Sequence, residues 1–474
     1  MSHPLSRRDA LRLAGAVPLS AAAAALLHDR HNHWTEPAAH RRAPDTAAPD
    51  RLDAYLRPRE IAARPVAGFL DSLGVNAHIG QGVDDAAECA PGLRYAGIAH
   101  LRDDANAAYV SDWITLYQQS GTDLDLLANG SDPDVGDPIA MATSLRQAGA
   151  LVAVEGPNEP NNQPVTYNGV TSSSTSDFTP VAQYQQALYH QVKTTPALRG
   201  IPVFASSEAG GSEPNNVGLQ FLTIPSGAGT LMPDGTRYAD FANTHTYPDR
   251  SPGWTDNMAW FGADPTLDGA WDGLYGEYGV TWLKHFQGYS DPQLAALPRV
   301  MTETGWATQG SGSITEAQQG NLILCLYLSN FTRGWKQTYI YMLRDDPVQG
   351  YWGLLDTEYQ PKLSGVYVHN LTTILAEPAR SLRAPSTGRL AYQVSGPATV
   401  HDVLLQKSDG TLWLAIWNEA ASGSDGATVS FATPPSTVTL YDPTSGTSAT
   451  RTFRHPSTVE LSLGSYGTAV LRIQ

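Results

Sequence analysis

Two contrasting textures in the sequence predict a (β/α)8 barrel followed by an all-β sandwich. Between residues 66 and 378, eight short apolar runs with polar tips alternate with segments whose apolar residues recur every three or four positions. Strands alternating with helices in this way call for a parallel sheet closed into a barrel. From about residue 380 apolar and polar residues alternate one by one between turn signals, as in strands with one buried face. A doubly wound open sheet is the rival for the first part. It would carry a glycine-rich phosphate turn after its first strand, and HIGQGVDD (78–85) is not that fingerprint.

Ahead of the barrel, SRRDALRL (6–13) leads into an Ala-rich apolar run from Leu11 to Leu27, which fits a twin-arginine export signal over residues 1–30. The run is too short and too alanine-rich for a bilayer anchor, so no membrane span is expected in the mature protein. Export would place Cys89 and Cys325 in an oxidising compartment, where one disulfide is allowed, but two isolated thiols have no metal or redox spacing. Residues 31–65, rich in Pro, Ala and Arg, read as a linker. His28, His31, His33 and His40 crowd around its start without accompanying Cys or carboxylate geometry, and are taken as solvated.

The eight candidate strands of the barrel, 66–378, are DSLGVNAHI (71–79), IAHLRDDAN (98–106), DLDLLANGS (123–131), ALVAVEGPNEPN (150–161), PVFASSEAG (202–210), FANTHTYP (241–248), RVMTETGW (299–306) and TYIYMLRDD (338–346). Helical spacing appears between them in AYVSDWITLYQQ (108–119), DPIAMATSLRQAG (137–149), VAQYQQALYHQV (181–192), TEAQQGNLILCLYLSNF (315–331) and LSGVYVHNLTTIL (363–375). The sandwich, 379–474, is read from LAYQVS, TVHDVLLQKSDGTLWLAIWNE, ATVSFAT, STVTLYDPTSG and TVELSLGSYGTAVLRI, with Asp409-Gly410 supplying both positive-φ positions of a tight hairpin. Its expected role is to pack against the barrel.

A net charge of -16 with 16% charged residues describes an acidic, ordinary surface that does not steer toward phosphate backbones, which argues against a nucleic-acid partner. With 11 Trp and 21 Tyr, the chain has ample flat rings for stacking on sugars. In a barrel of this kind the carboxyl ends of the strands form the working face. Asn158 and Glu159 are expected to end the fourth strand, where Pro160 stops the ladder, and Glu303 the seventh. Two carboxylates converging from separate strand tips suit glycosidic cleavage, one protonating the leaving oxygen and the other acting beneath the anomeric carbon. Glu155, four residues before Glu159, is expected deeper in a buried polar network.

GPNEPN (156–161) and TETGW (302–306) resemble the acid/base and nucleophile motifs of the clan A retaining glycoside hydrolases, whose catalytic glutamates sit on strands four and seven. Arg102, the THTYP stretch with His245 and Tyr247, and YWGLLDTEYQPKLSGVYV (351–368) are similar to features of that clan, so the resemblance spans residues 66–474 in order and spacing. It implies a β-glycosidase with Glu159 as acid/base and Glu303 as nucleophile. It further implies Arg102 and Tyr247 beside Glu303, Asn158 on the sugar 2-hydroxyl, His245 orienting the site, and Trp306 stacking near the cleaved sugar. The chain departs from the clan at Tyr341 and Met342, where many relatives present a tryptophan. The long segment 249–298 holds Trp254, Trp260, Phe261, Trp271, Tyr275, Tyr278 and Trp282, of which Trp254 and Trp260 are candidates for sugar subsites. No metal or organic cofactor is expected, and the partner is a carbohydrate, an oligo- or polysaccharide, bound by a monomer. A transglycosidase would share every residue named, whereas an inactive carbohydrate-binding protein would lack or misdirect one carboxylate.

Overall fold

The computed structural model describes residues 58–129, 135–160, 163–172, 179–207, 237–245, 247–248, 297–310, 312–377, 386–420 and 422–474. The export signal, most of the linker and the seven aromatic residues between 254 and 282 lie outside these residues.

In chain order the barrel region comprises β1 (Arg59–Ala62), β2 (Arg64–Pro65), α1 (Val66–Leu70), β3 (Leu73–Asn76), α2 (Ala86–Ala96), β4 (His100–Asp104), α3 (Val110–Ser120), β5 (Asp123–Leu127), α4 (Gly136–Ala148) and β6 (Leu151–Glu155). It continues with the paired β7 (Thr166–Tyr167) and β8 (Val170–Thr171), α5 (Thr179–Thr194), β9 (Val203–Phe204), β10 (Ala242–His245), β11 (Arg299–Thr304), α6 (Glu316–Thr332), β12 (Trp335–Ile340) and α7 (Leu363–Ile374). Eight of these strands pair in parallel in the order β10-β11-β12-β3-β4-β5-β6-β9, and a parallel bridge between Phe204 and Phe241 closes the ring. All eight candidate strands and all five helical stretches read from the sequence are present.

The sandwich adds β13 (Arg389–Ser395), β14 (Val400–Gln406), β15 (Leu412–Asn418), β16 (Ser424–Phe431), β17 (Thr437–Tyr441), β18 (Ala449–Arg454), β19 (Thr458–Gly464) and β20 (Thr468–Ile473). One sheet runs β1-β13-β16-β19 and the other β18-β17-β20-β15-β14-β2. Alternating side chains such as Leu414, Val429, Val459 and Leu471 fill the space between them. The face of α6 carrying Cys325 and Leu328 belongs to a core that also takes in Trp413, Trp417 and Val470 of the sandwich, so barrel and sandwich share one apolar interior. At that seam Arg333 makes two bonds, of 2.9 and 3.0 Å, to Glu419, whose carboxylate also accepts the Trp417 indole N–H.

Four readings are corrected. The end of the expected linker is structured: β1 pairs antiparallel with β13 and β2 parallel with β14, so residues 59–65 belong to the sandwich sheets. The pattern was silent there because all six strand residues are exposed. The fourth barrel strand stops at Glu155, short of Asn158 and Glu159. Gly156 follows because any Cβ there would lie 1.7 Å from the Gln185 amide oxygen, and Pro157 then ends the ladder. The turn at Asp409-Gly410 has one positive-φ residue, Gly410 at 90°, and closes a three-residue loop through bonds from Gly410 to Lys407 and from Lys407 to Thr411. Finally, the exposed strand β18 carries no clear alternation and escaped the sequence reading. Cys89 and Cys325 are both free and buried.

Candidate active site

The barrel interior is layered. Near its floor Ala153, Phe204 and Val300 form an apolar plug. One pleat higher, toward the carboxyl ends, the inward positions turn polar: Glu155 lies two residues beyond Ala153, and Thr302 two beyond Val300. Arg102 of β4 organises this layer. Its five N–H groups find five acceptors: Glu155 Oε2 at 2.6 Å and Oε1 at 2.9 Å, Asn76 Oδ1 at 2.9 Å, Glu303 Oε1 at 2.8 Å and Asn158 Oδ1 at 2.7 Å. Burial opposes its charge, but the Glu155 and Glu303 carboxylates outweigh this and hold the guanidinium protonated. Burial likewise works against the charge of Glu155, and Arg102 with its hydrogen bonds reverses the effect, leaving that carboxyl below its usual range. Asn243 Nδ2 at 3.0 Å and the Thr302 hydroxyl at 3.1 Å complete the shell of Glu155.

Glu303 reaches the same cavity although its neighbour Thr302 also points inward, which a regular strand forbids. The pairing of β11 slips against β12 between Met301 and Thr304 and against β10 between Thr244 and His245. This bulge turns consecutive side chains to one side. Glu303 Oε1 then meets Arg102, while Oε2 accepts the Tyr247 hydroxyl at 3.0 Å. Burial and the charge of Glu303 push the Tyr247 phenol far above its usual range, so it remains a donor.

Beyond the fourth strand, Asn158 bridges Ser207 and Glu159 adopts a left-handed backbone with φ of 40°. That conformation is unfavourable for a residue with a Cβ and is held by its surroundings. It carries the Glu159 carboxylate to His245 Nδ1, 2.8 Å from Oε1, with Glu303 Oε2 3.5 Å from the same nitrogen. His245 Nε2 lies 2.9 Å from the Thr302 hydroxyl. With the ring proton on Nε2, that hydroxyl accepts it and Nδ1 is left to accept a hydrogen bond from a protonated Glu159. One oxygen of Glu159, one of Glu303 and His245 Nδ1 all lie within 4.8 Å of one another. Such a trio could ligate a divalent ion, a clustering that sequence spacing could not display because it draws on two strands and the loop after a third. Here Arg102 and Tyr247 already take both Glu303 oxygens, so an added cation would face a guanidinium.

Arg102, Asn158, Glu159, His245, Tyr247 and Glu303 are therefore brought together. The Trp306 indole donates to the Gly312 carbonyl at 2.9 Å. At the departure in strand eight, Met342 is buried, and Trp352 from the following loop lies edge-on to Tyr247 and Tyr341, with centroids 5.6 and 6.1 Å apart. An indole thus borders the cavity from the YWGLLDTEYQPKLSGVYV stretch, in which the sequence reading assigned no role to Trp352 itself. Asn76, Asn243 and Thr302 were missed too; the available signal was a polar residue at an inward position of a barrel strand, clearest for Asn76 in LGVN.

No family model matches the sequence, and no curated protein matches it. Solved structures do share the fold. A glucosidase from Croceicoccus marinus has a TM-score of 0.51 at 12% identity, over 85% of this chain and 95% of that one. A GH51 arabinofuranosidase from Xanthomonas axonopodis pv. citri has a TM-score of 0.50 at 12% identity, over 88% and 98%. A GH39 β-xylosidase from Caulobacter crescentus has a TM-score of 0.50 at 14% identity, over 87% and 98%. At these identities the likeness is one of fold, and the barrel with a C-terminal sandwich is the architecture that the clan A resemblance implied.

Proposed function

We propose that this chain is a glycoside hydrolase that cleaves β-glycosidic bonds of an oligo- or polysaccharide with retention of configuration. The observation that carries the reading is the approach of a Glu159 oxygen to within 4.8 Å of a Glu303 oxygen across the barrel mouth. Retaining enzymes need their carboxyl groups about 5 to 5.5 Å apart, whereas an inverting pair leaves roughly 6.5 to 9.5 Å for a water.

In the first step a Glu303 oxygen attacks the anomeric carbon, the bond to the leaving oxygen breaks, and that oxygen takes the Glu159 proton. In the second, Glu159 removes a proton from water, the hydroxide bonds to the anomeric carbon, and Glu303 leaves as a carboxylate. Arg102 and Tyr247 hold the two Glu303 oxygens, which suits an anion before and after the covalent stage. Arg102 also takes the Asn158 amide oxygen, turning the NH2 end toward the sugar 2-hydroxyl, a contact that strengthens in the transition state. Trp306 remains a proposed stacking residue at the cleft margin.

The inactive binding-protein reading loses ground because neither carboxylate is misdirected. Transglycosylation uses the same residues and differs in the acceptor. Export is proposed from the SRRDALRL motif and the apolar run after it. Among the described residues no helix is long and apolar enough to cross a membrane.

A screen of aryl β-glycosides and common glucans tests the proposal, with Glu303→Ala as the blank. Turnover by the wild type and none by a folded Glu303→Ala is expected, and product analysis with an added acceptor sugar separates hydrolysis from transfer. Equal background rates for both proteins across the panel would count against the assignment.

A further inference from the structure

Asp125 is buried in the barrel interior with both carboxyl oxygens shielded from solvent, and neither oxygen accepts a hydrogen bond from any N–H or O–H donor among the described residues. The contrast with Asp103 is direct. That equally buried carboxylate accepts from the backbone of Ile79, Gly80 and Asp104 and from the Trp113 indole. Asp125 sits beside Arg102 in the register of β4 and β5, yet all five Arg102 N–H groups are committed elsewhere. On its other side β6 pairs Asp125 with Ala153, so Glu155, two residues further on the same inward face, brings a second acid diagonally beside it.

Two carboxyl groups bond to each other only when one of them carries a proton. Glu155 is surrounded by donors from Arg102, Asn243 and Thr302, and every such bond favours its ionised form. The proton therefore belongs on Asp125. An ionised Asp125 would add a third carboxylate around one guanidinium and leave it without a donor, an arrangement that buried groups avoid. Deepening the proposed function and resting on it, we propose that Asp125 is a positioning residue: a permanently neutral acid that donates its proton to Glu155. It thereby completes the shell that holds Arg102 against Glu303. Burial, followed by the charge of Glu155, pushes the Asp125 carboxyl well above its usual range, with Arg102 opposing. Asp123 on the same strand and the Tyr339 phenol from β12 are the other titratable groups that face it. None of these supplies a positive charge beyond Arg102.

Asp125→Asn keeps a neutral donor for Glu155, and Asp125→Ala removes it. The first is expected to retain kcat within about threefold. The second is expected to lose roughly 10- to 100-fold in kcat with little change in KM, the scale of one lost bond to a charged group. The acid limb of the kcat/KM profile should coincide for wild type and Asp125→Asn, because neither carries a charge at this site. Difference infrared spectra should show one carboxylic-acid C=O band present in wild type and in Glu303→Ala and absent in Asp125→Asn. An Asp125→Asn protein that folds but is as impaired as Asp125→Ala, or spectra lacking that band, would overturn the proposal. Absence of turnover in the wild type counts instead against the glycosidase reading, while the band still decides where the proton resides.

Discussion

At the residue scale the site is a problem of sharing one positive charge. Arg102 neutralises Glu155 below and positions Glu303 above, so its removal leaves a buried carboxylate without a counter-charge. Arg102→Met is expected to destabilise the fold by about 3 to 5 kcal/mol, measured by urea denaturation. Tyr247→Phe removes only the donor on Glu303 Oε2. A loss of roughly 10- to 100-fold in kcat with unchanged stability is expected, the size of one hydrogen bond to a charged group. Glu159 and Glu303 were legible in the sequence because each lies in a compact motif at the end of an apolar run. Asp125, Asn76, Asn243 and Thr302 were not, since they come from four separate strands and only closure of the barrel makes them neighbours.

At the scale of elements, the existence of the barrel strands was legible and their ends were not. The runs of Leu and Val fixed where the barrel staves lie, but the Gly156-Pro157 break and the bulge in β11 are decided by neighbouring strands. Helix α2 shows the same limit: Pro91 and Gly92 lie inside it and suppress the helical signal. The Asp85 N-cap, the left-handed Gly97 at its end and the burial of Cys89, Ala90 and Leu93 hold it nonetheless. The amino-terminal rim carries a pH-sensitive joint. His100 on β4 contacts the Asp123 carboxylate through Nδ1 and the Asp71 backbone carbonyl through Nε2 at 2.7 Å. Burial opposes its charge, but bonds to Asp123 and Asp71 outweigh it and raise the imidazole to about 9. Its unfolded value is about 6.5, so the stability it adds is full below that pH and is lost as pH rises through 9. The gap in unfolding free energy between wild type and His100→Asn should be roughly 3 kcal/mol larger at pH 6 than above pH 9. A gap independent of pH would show that folding leaves the imidazole with its unfolded affinity for protons.

For the whole molecule, the sandwich is part of the barrel's framework. Its two tryptophans, Trp413 and Trp417, pack in the same core as the barrel, and the Arg333–Glu419 pair is buried at the seam. The two halves should therefore melt in a single calorimetric transition, and a chain ending at residue 377 should fail to fold as a soluble barrel. Arg333→Ala is expected to cost about 3 to 5 kcal/mol, because Glu419 would remain buried without its partner. The barrel and sandwich themselves were readable from the change of period near residue 380. That β1 and β2 reach forward across more than three hundred residues to join the sandwich was not, since exposed edge strands leave no apolar stripe.

The most direct measurement is to incubate the protein with an activated 2-deoxy-2-fluoro β-glycoside and map the adduct by peptide mass. One sugar bound covalently to Glu303 is expected, with turnover stalled while the adduct persists. An adduct on another residue would contradict it, as would steady hydrolysis of the corresponding unfluorinated glycoside by a Glu303→Ala protein.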